Sequence, residues 1–454
     1  MNWRKWVLQT FLQMFQRGIY KKNCIHFQLE LGTYVNPETG FYEKEHLEWM
    51  SDFHFYPVSK GDLIICSNLD YCYGIASYSN NVEQNLVYTY CYQKEENWSC
   101  YRKDFDVERL YQGKYVVPGD GWIRIVIRRK DKEVLTHKDM IAIQETLALQ
   151  CRKREYQKKV YFEFEIEDTI QKVNNKKKEN SLVLGLMTDS HYVINGGWED
   201  TAYNLQAVNS GVKFDAMIHL GDLTDGMVPL SVTKEYVSKV MQDLEQTGAP
   251  VYLALGNHDS NYFHKNPEWM REEEQSEFYL NRQKPWYFVD FEKQKVRCIF
   301  LYSFNHKEKI RYGFPMEEVE WVKDILANTP ENMKIIVFSH VPLLPKMHFW
   351  SKEIRNSSEM LQVLEDYVQQ GGTILSYIHG HNHADQICHD RNFPIVSIGC
   401  AKCEDFKDKK PEGSITYDRK EGTVSQELWD VMIVNADENR LEFVRFGAGE
   451  DRSL

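Results

Sequence analysis

The sequence predicts a mainly β domain of sandwich or jelly-roll type, followed by a layered α/β domain. Three observations indicate this. The chain has 454 residues, about three times the ~150 residues usual for one domain. Short segments rich in β-branched and aromatic residues fill the first part, whereas apolar strands alternate with amphipathic helices after residue 182. A polar, charge-dense run near residues 171–180 separates the two regimes. We therefore predict a β accessory domain at 1–165, a linker at 166–181 and an α/β domain at 182–454.

The composition excludes several classes of protein. With 42% apolar and 27% charged residues, the chain is an ordinary globular protein. Its net charge of −12 argues against nonspecific binding of nucleic acid. No uncharged apolar run reaches the 18 residues that a transmembrane helix needs, so we expect no transmembrane segment.

The first 20 residues show helical spacing of their apolar side chains, interrupted by glutamines. We interpret them as an amphipathic helix packed on its own protein, with membrane-surface attachment and an atypical export signal as alternatives. Because no clear signal peptide is present, we expect a cytoplasmic protein, although association with the cell envelope stays open. In that case we interpret the ten cysteines as scattered reduced thiols. Cys400 and Cys403 form a CxxC motif, but no second cysteine pair at the spacing of a zinc site accompanies it. Export would leave room for disulfides among four cysteines: Cys66, Cys72, Cys91 and Cys100.

In the first domain, segments 61–66, 85–90 and 121–128 have the composition of strands, and a helix is predicted from Lys138 to Lys158. Six aromatic residues on these strands look exposed: Tyr71, Tyr73, Tyr78, Tyr88, Tyr90 and Trp98. Such rings can stack on sugars, which suggests targeting to a glycan or glycan-phosphate polymer. Packing in the core is the alternative for aromatic residues at alternating strand positions.

The second domain alternates apolar strands with amphipathic helices. The predicted strands are Leu182–Met187, Ala216–Leu220, Val251–Leu255, Cys298–Tyr302, Ile335–Phe338 and Ile374–Ile378. The predicted helices are Ala202–Ser210, Ser231–Thr247, Met316–Ala327 and Ser358–Gln369. A hairpin of Leu428–Val434 and Arg440–Phe446 is expected to add to a sheet edge. This rhythm is typical of a layered α/β domain.

Five of these strands end in Asp, Asn or His. The residues concerned are Asp189 and His191, Asp222, Asn257 with His258 and Asp259, His340, and His381 with His383. Because ligands bind at the carboxyl ends of strands in open α/β sheets, we expect these groups to meet in one crevice. The i and i+2 spacing of the first and last pairs would place both side chains on one side of an extended segment. Glycines at 221, 256 and 380 would permit close backbone approach.

These side chains have the chemistry of metal ligands. Imidazole and carboxylate groups suit divalent first-row transition ions. Two such ions carry +4 against about −2 from Asp189 and Asp222, so a site with roughly +2 would attract an anion. A phosphate ester fits this requirement, since two ions ~3.5–4 Å apart can bind its oxygens and activate a water.

The ordered set Asp-x-His, Gly-Asp, Gly-Asn-His-Asp, His and Gly-His-x-His is similar to that of the calcineurin-like metallophosphoesterase superfamily, which includes many bacterial members. The resemblance implies a β-sandwich flanked by helices, and a metal-bridging hydroxide that attacks a phosphoester. It implies two divalent ions (Mn, Fe or Zn): one held by Asp189, His191, Asp222 and His383, the other by Asp222, Asn257, His340 and His381. Asp222 would bridge them, His258 would protonate the leaving alkoxide, and Asp259 would orient His258.

We expect a phosphodiesterase, because the motif loops contain no Arg or Lys near the ligands to meet a monoester dianion. A phosphomonoesterase, a non-catalytic scaffold and a DNA nuclease of the same superfamily are the alternatives. Tyr262, His264, His348 and the C-terminal Arg452 are candidate substrate contacts, and Arg452 would belong instead to a solvated tail if its loop does not reach the crevice.

Overall fold

The computed structural model describes most of the chain in two compact units. The described residues are 27–36, 39–66, 68, 70–79, 81, 83–93, 96–100, 110–111, 114–144, 146–151, 156–192, 197–263, 266, 268–404 and 410–454. The first unit comprises Met1–Tyr156, Val193–Gly196 and Met227–Glu235, and the second comprises Gln157–Tyr192, Gly197–Gly226 and Tyr236–Leu454. The helix expected over residues 1–20 lies outside the described residues.

The first unit consists mainly of antiparallel strands. They are β1 (Glu30–Leu31), β2 (Thr33–Val35), β3 (Tyr42–Lys44), β4 (Trp49–Ser51), β5 (Tyr56–Val58), β6 (Leu63–Cys66), β7 (Tyr71–Tyr78), β8 (Leu86–Gln93), β9 (Glu96–Cys100), β10 (Leu110–Tyr111), β11 (Lys114–Val116), β12 (Gly121–Arg129) and β13 (Leu147–Gln150), with one helix, α1 (His137–Gln144). One sheet has the order β1-β4-β12-β7-β8-β9, with β5 also paired to β12, and another has the order β10-β11-β6-β13. The mainly β composition is confirmed, whereas the jelly-roll topology stays a prediction.

Two sequence predictions for residues 138–181 are wrong. The helix predicted from Lys138 to Lys158 ends at Gln144, and β13 follows it. Leu147 and Leu149 are buried in β13 while the residues between and after them are half-buried, so a period of two replaces the helical period. The predicted linker at 166–181 is a helix over most of its length, α2 (Glu163–Lys176). Its buried residues recur every three or four positions, and its many polar residues occupy the other face.

The tyrosines expected to be exposed in the first unit are buried where the structure describes their side chains. Tyr71, Tyr73 and Tyr78 are 7%, 1% and 1% exposed. Each hydroxyl donates a hydrogen bond within the unit; that of Tyr78, for example, bonds the Gly40 carbonyl oxygen at 2.7 Å. The side chains of Tyr88, Tyr90 and Trp98 lie outside the description. Core packing therefore explains the three described rings, and the expected exposure was wrong for them.

The second unit contains two six-stranded sheets. Their strands are β14 (Leu182–Met187), β15 (Ala216–His219), β16 (Val251–Leu253), β17 (Tyr287–Phe291), β18 (Val296–Phe300), β19 (Lys334–Ser339), β20 (Ile374–His379), β21 (Gln386–Cys388), β22 (Ile395–Ser397), β23 (Leu428–Asn435), β24 (Arg440–Gly447) and β25 (Arg452–Ser453). One sheet has the order β16-β15-β14-β23-β24-β25 and the other the order β17-β18-β19-β20-β22-β21. The parallel ladders join β14, β15 and β16 in the first, and β18, β19, β20 and β22 in the second.

The remaining helices of the described chain are α3 (Trp198–Val212), α4 (Leu230–Glu245), α5 (Glu272–Gln275), α6 (Met316–Ala327) and α7 (Ser357–Gln369). Residues of β19 show how the layers form. Ile336 and Phe338 join a core that includes Leu184 and Ile218 of the other sheet. Ile335 and Val337 point to the opposite face, in a cluster with apolar residues of α6 and α7. The prediction of a layered α/β domain is therefore confirmed, since strand alternation gives one face to each layer.

The C-terminal hairpin extends the first sheet, as expected. Strand β23 pairs antiparallel with β14, and β25 adds a final strand beside β24. Beneath them, Arg445 Nε lies 2.9 Å from Asp430 Oδ1, and its Nη2 lies 2.8 Å from Asp385 Oδ2. Arg452 contacts the same two aspartates. These ion pairs hold the Arg452 side chain, which is 12% exposed, within the fold, so the solvated tail was wrong. A contact between Arg452 and a substrate stays a prediction.

None of the helices in the described part of the chain has the length and apolar composition required to cross a membrane. The seven cysteines whose side chains are described are free thiols: Cys66, Cys72, Cys151, Cys298, Cys388, Cys400 and Cys403.

Candidate metal centre

The polar residues singled out in the sequence lie in the loops that follow β14, β15, β16, β19 and β20. The structure brings the side chains of all seven expected ligands into two adjoining clusters. Six of them are less than one-tenth exposed as whole residues, and the His383 side chain is 12% exposed.

The first cluster consists of Asp189, His191 and His383. His383 Nε2 lies 3.2 Å from Asp189 Oδ1 and 3.3 Å from His191 Nε2. His191 Nε2 lies 3.7 Å from the same carboxylate oxygen. Three donor atoms thus face one point.

The second cluster consists of Asp222, Asn257, His340 and His381. His340 Nε2 lies 3.1 Å from Asp222 Oδ2, 3.2 Å from Asn257 Oδ1 and 3.2 Å from His381 Nδ1. Asp189 Oδ1 is also 4.0 Å from His340 Nε2, so the two clusters adjoin. The side-chain contacts of Asp222 are with His340 and His258, and its expected role as a bridge stays a prediction.

The residues fit divalent metal ions. Donors about 2.0–2.1 Å from a tetrahedral ion are ~3.3 Å from each other, which matches the spacing in both clusters. Two imidazole nitrogens at 3.2 Å, such as those of His340 and His381, are also natural partners for one ion. The mixture of imidazole, carboxylate and amide donors suits first-row transition metals.

The backbone of the ligand loops differs from the expected extended form. Five candidate ligands have positive φ angles between 39° and 68°: Asp189, His191, Asp222, His381 and His383. Side chains other than glycine rarely adopt this conformation, and such strain concentrates at functional sites. The paired ligands therefore converge because their loops turn sharply after the strand, not because a straight strand places them on one side.

Two glycines explain how these loops approach one another. A Cβ at Gly380 would lie 2.7 Å from Asp189 Oδ2 and closer still to Thr188 Oγ1. A Cβ at Gly256 would lie 2.8 Å from Asp222 Cγ and closer still to its Oδ1. A side chain at either position would displace a candidate ligand, as the sequence suggested.

Three residues near the clusters were missed by the sequence reasoning. Asp225 Oδ1 lies 2.8 Å from His191 Nδ1, and Glu404 Oε2 lies 3.2 Å from His383 Nδ1. Lys402 Nζ lies 2.6 Å from Glu404 Oε1 and 3.5 Å from Asp225 Oδ2. The motif loops themselves contain no Arg or Lys, but Lys402 from another loop lies beside two carboxylates that contact the candidate ligands. Asp225 follows the Gly-Asp motif by three residues, whereas the segment of Lys402 and Glu404 carries no recognisable signal.

His258 faces the centre, but Asp259 does not orient it. His258 Nδ1 donates to the Asp225 carbonyl oxygen at 2.7 Å, and its Nε2 lies 3.8 Å from Asp222 Oδ2. The Asp259 carboxylate instead accepts backbone N–H groups of Asp222, Leu223 and Gly256 at 2.7–3.0 Å. The expected role of Asp259 is therefore wrong. Its carboxylate cross-links the two ligand loops, because a buried carboxylate is best satisfied by several backbone donors.

The charges of the centre shift the pKa values of its members. Burial lowers the pKa of His258 and raises that of Asp259 to about 6, with the negative Asp222 adding to the second effect. Burial also opposes the charge of His340, but the carboxylates of Asp222 and Asp189 outweigh it and raise its pKa to about 9. The carboxylates of Asp189 and Asp222 thus stabilise a positive charge bound between them.

The remaining candidate substrate contacts are Tyr262, His264 and His348. Tyr262 stacks on His306 with ring centroids 4.3 Å apart, and His264 lies outside the described residues. The His348 ring lies 5.0 Å from that of His381. His348 Nδ1 accepts the N–H of Ser351 at 2.7 Å, which places its proton on Nε2.

Comparisons with known proteins gave similar solved structures and one family match. Similar solved structures include a dimetal phosphatase from Danio rerio, with 14% identity, coverage of 60% of this chain and 98% of that chain, and a TM-score of 0.42. GAP50, the anchor in the inner membrane complex of Plasmodium, has 15% identity, covers 60% of this chain and 88% of that chain, and has a TM-score of 0.40. A search of curated proteins gave no match. The sequence model of the calcineurin-like phosphoesterases matches residues 182–385. Residues 182–385, which carry the two donor clusters, thus match the calcineurin-like phosphoesterase family.

Proposed function

We propose that this protein is a binuclear metal-dependent phosphodiesterase. The observation that carries the proposal is the pair of adjoining donor clusters at the ends of five strands. Asp189 Oδ1 lies within 4.0 Å of a histidine nitrogen in each cluster, so ions bound there would be close enough to act on one phosphoester.

The residues of the centre have different proposed roles. Divalent ions bound in the clusters would supply Lewis acidity and lower the pKa of a bound water. His258 would protonate the leaving alkoxide. This role is supported by the contact of its Nδ1 with the Asp225 carbonyl oxygen, which leaves Nε2 toward the centre. Asp259 holds the loops of Asp222 and Gly256 together and thereby fixes the second cluster.

The charge near the ligands supports a diester substrate. Two divalent ions with Asp189 and Asp222 leave roughly +2, as worked out above. The outer residues Asp225, Glu404 and Lys402 contribute −1 together, which reduces the excess to roughly +1. An activated hydroxide brings the sum to roughly zero, so the centre accommodates the single charge of a diester better than the double charge of a monoester.

A phosphomonoesterase is the second candidate, and one observation favours it. His348 is 6% exposed, and its Nε2 has no hydrogen-bond partner among the described residues. An additional donor beside His381 suits the third terminal oxygen of a monoester. Lys402 does not strengthen this alternative, because two carboxylates already occupy its ammonium group.

The test compares the two substrate classes directly. Metal-stripped protein would be reconstituted with Mn, Fe, Zn, Co or Mg, and kcat/KM measured with bis-p-nitrophenyl phosphate and p-nitrophenyl phosphate. We expect metal-dependent hydrolysis with preference for the diester, and its loss in His383→Ala. A preference for the monoester would favour the second candidate, and the absence of hydrolysis with every metal would favour a binding scaffold.

A further inference from the structure

In both histidines of the first cluster, the ring nitrogen that faces away from the cluster contacts a carboxylate. His191 uses Nε2 toward the cluster and presents Nδ1 to Asp225 Oδ1 at 2.8 Å. His383 likewise uses Nε2 toward the cluster and presents Nδ1 to Glu404 Oε2 at 3.2 Å. Such a carboxylate fixes the ring orientation and raises the basicity of a metal-binding imidazole.

One lysine joins the two carboxylates. Lys402 Nζ contacts Glu404 Oε1 at 2.6 Å and Asp225 Oδ2 at 3.5 Å, and its side chain is 19% exposed. A continuous chain of contacts therefore runs from His383 through Glu404, Lys402 and Asp225 to His191. We call Asp225, Lys402 and Glu404 the outer network.

The loop that supplies Lys402 and Glu404 is anchored through its backbone. Arg419 Nη1 donates to the carbonyl oxygens of Cys400 and Lys402 at 2.6 and 2.7 Å, and its Nη2 donates to that of Ala401 at 3.1 Å. The N–H of Lys402 donates to the carbonyl oxygen of Asp189 at 3.2 Å. The outer network is thus attached to the backbone of a candidate ligand.

The second cluster is supported differently. His340 Nδ1 donates to the neutral carbonyl oxygen of Leu220 at 2.7 Å. Neither His381 Nε2 nor His191 Nδ1 makes a hydrogen bond among the described residues, but His191 Nδ1 has a carboxylate oxygen at 2.8 Å. No carboxylate contact behind the ring of His340 or His381 is seen in this part of the chain. Carboxylate contacts at the outer ring nitrogens of its histidines therefore distinguish the first cluster from the second.

We propose that Asp225, Lys402 and Glu404 are positioning residues that set the metal affinity of the first cluster selectively. Glu404 orients His383, and Asp225 orients His191. Lys402 contacts both carboxylates and fixes their positions. The inference rests on the proposed metal binding, but it concerns residues outside the ligand set. Perturbing the outer network should weaken one ion and leave the other in place.

The experiment measures metal binding rather than activity. Metal-stripped protein would be titrated with Mn²⁺ or Zn²⁺ in competition with a chromogenic chelator, and bound ions counted by elemental analysis. We expect Glu404→Gln to weaken one of two sites by about 10–100-fold, the usual effect of losing such a partner. Lys402→Met should weaken the same site, and its effect should be smaller in the Glu404→Gln background because the two residues act together.

Glu359→Gln is the matched control, since Glu359 is an exposed residue of α7. Melting of the metal-free variants checks that the fold is retained. Equal weakening of both sites, or additive effects of the two substitutions, would overturn the inference. So would unchanged affinities in Glu404→Gln. A wild-type protein that binds no metal would instead overturn the proposed function, which keeps the two failures distinct.

Discussion

Replacing Gly380 by alanine tests the close approach between the loops after β14 and β20. The new Cβ would lie 2.7 Å from Asp189 Oδ2 and closer to Thr188 Oγ1. These two oxygens are joined by a hydrogen bond of 2.6 Å, and the N–H of His381 donates to Asp189 Oδ2 at 3.0 Å. The methyl group must therefore displace the carboxylate or separate the two loops.

The expected cost follows from this crowding. Overpacking of a tight site usually costs about 1–3 kcal/mol, and a domain of this size loses about 2–4 °C in melting temperature for each kcal/mol. Ordinary van der Waals contact begins near 3.4 Å, so Asp189 Oδ2 would have to move by about 0.7 Å or more. This shift would also move Oδ1 of the same carboxylate, which faces the first cluster, so that cluster should lose affinity about tenfold or more.

The assay combines urea unfolding of the metal-free protein with chelator competition for the bound ions. Gly119→Ala is the control, because a Cβ at Gly119 would have no neighbour within 4 Å. This variant should stay within about 0.5 kcal/mol of the wild type. If Gly380→Ala kept both its stability and its metal affinity, the approach of the two loops would not be as tight as the structure places it, and the reasoning would fail.

Three further predictions follow from the same structure. Asp222→Asn should lower the occupancy of both ions in elemental analysis, and loss of the second cluster's ion alone would refute the bridging role. His258→Ala should keep the metals and lose about 10²–10⁴-fold in turnover; the loss should shrink for substrates with acidic leaving groups, and an equal loss across leaving groups would exclude proton donation. Arg445→Met should destabilise the metal-free protein by about 3–5 kcal/mol in urea unfolding, because it leaves buried aspartates unpaired. Lys346→Met, at an exposed ion pair, should cost less than about 1 kcal/mol, and similar losses in both variants would contradict the argument.

The sequence predicted the architecture of the second unit well because several of its strands, such as β14, β15, β18 and β20, are buried throughout. Runs such as Leu182–Met187 are apolar throughout and end abruptly in polar residues, so both the strand and the site at its end were visible. Helix α2 was missed because only Ile166, Thr169 and Val173 of its 14 residues are buried. A helix with so narrow an apolar face resembles a linker in composition.

The candidate ligands could be predicted from the sequence, whereas the outer network could not, and the reason is physical. Ligands stand at strand ends, where the period of the apolar pattern breaks. Lys402 and Glu404 lie in an irregular loop that Arg419 holds by its carbonyl groups, and hydrogen bonds to carbonyls place no requirement on side-chain identity. The loop conformation of His191 and His383 was also missed, because positive φ angles in residues other than glycine have no composition signal.

The antiparallel pairing of β14 with β23 has a consequence for synthesis of the chain. These strands are neighbours in the sheet, yet they are the first and tenth strands of the second unit in sequence. At about 5–20 residues per second, a ribosome needs roughly 10–50 s to reach β23 after completing β14. During this interval one edge of an apolar strand has no partner, and such edges recruit other chains. The nascent protein therefore depends on protection of that edge, and slower translation or loss of the C-terminal hairpin should direct it toward aggregation.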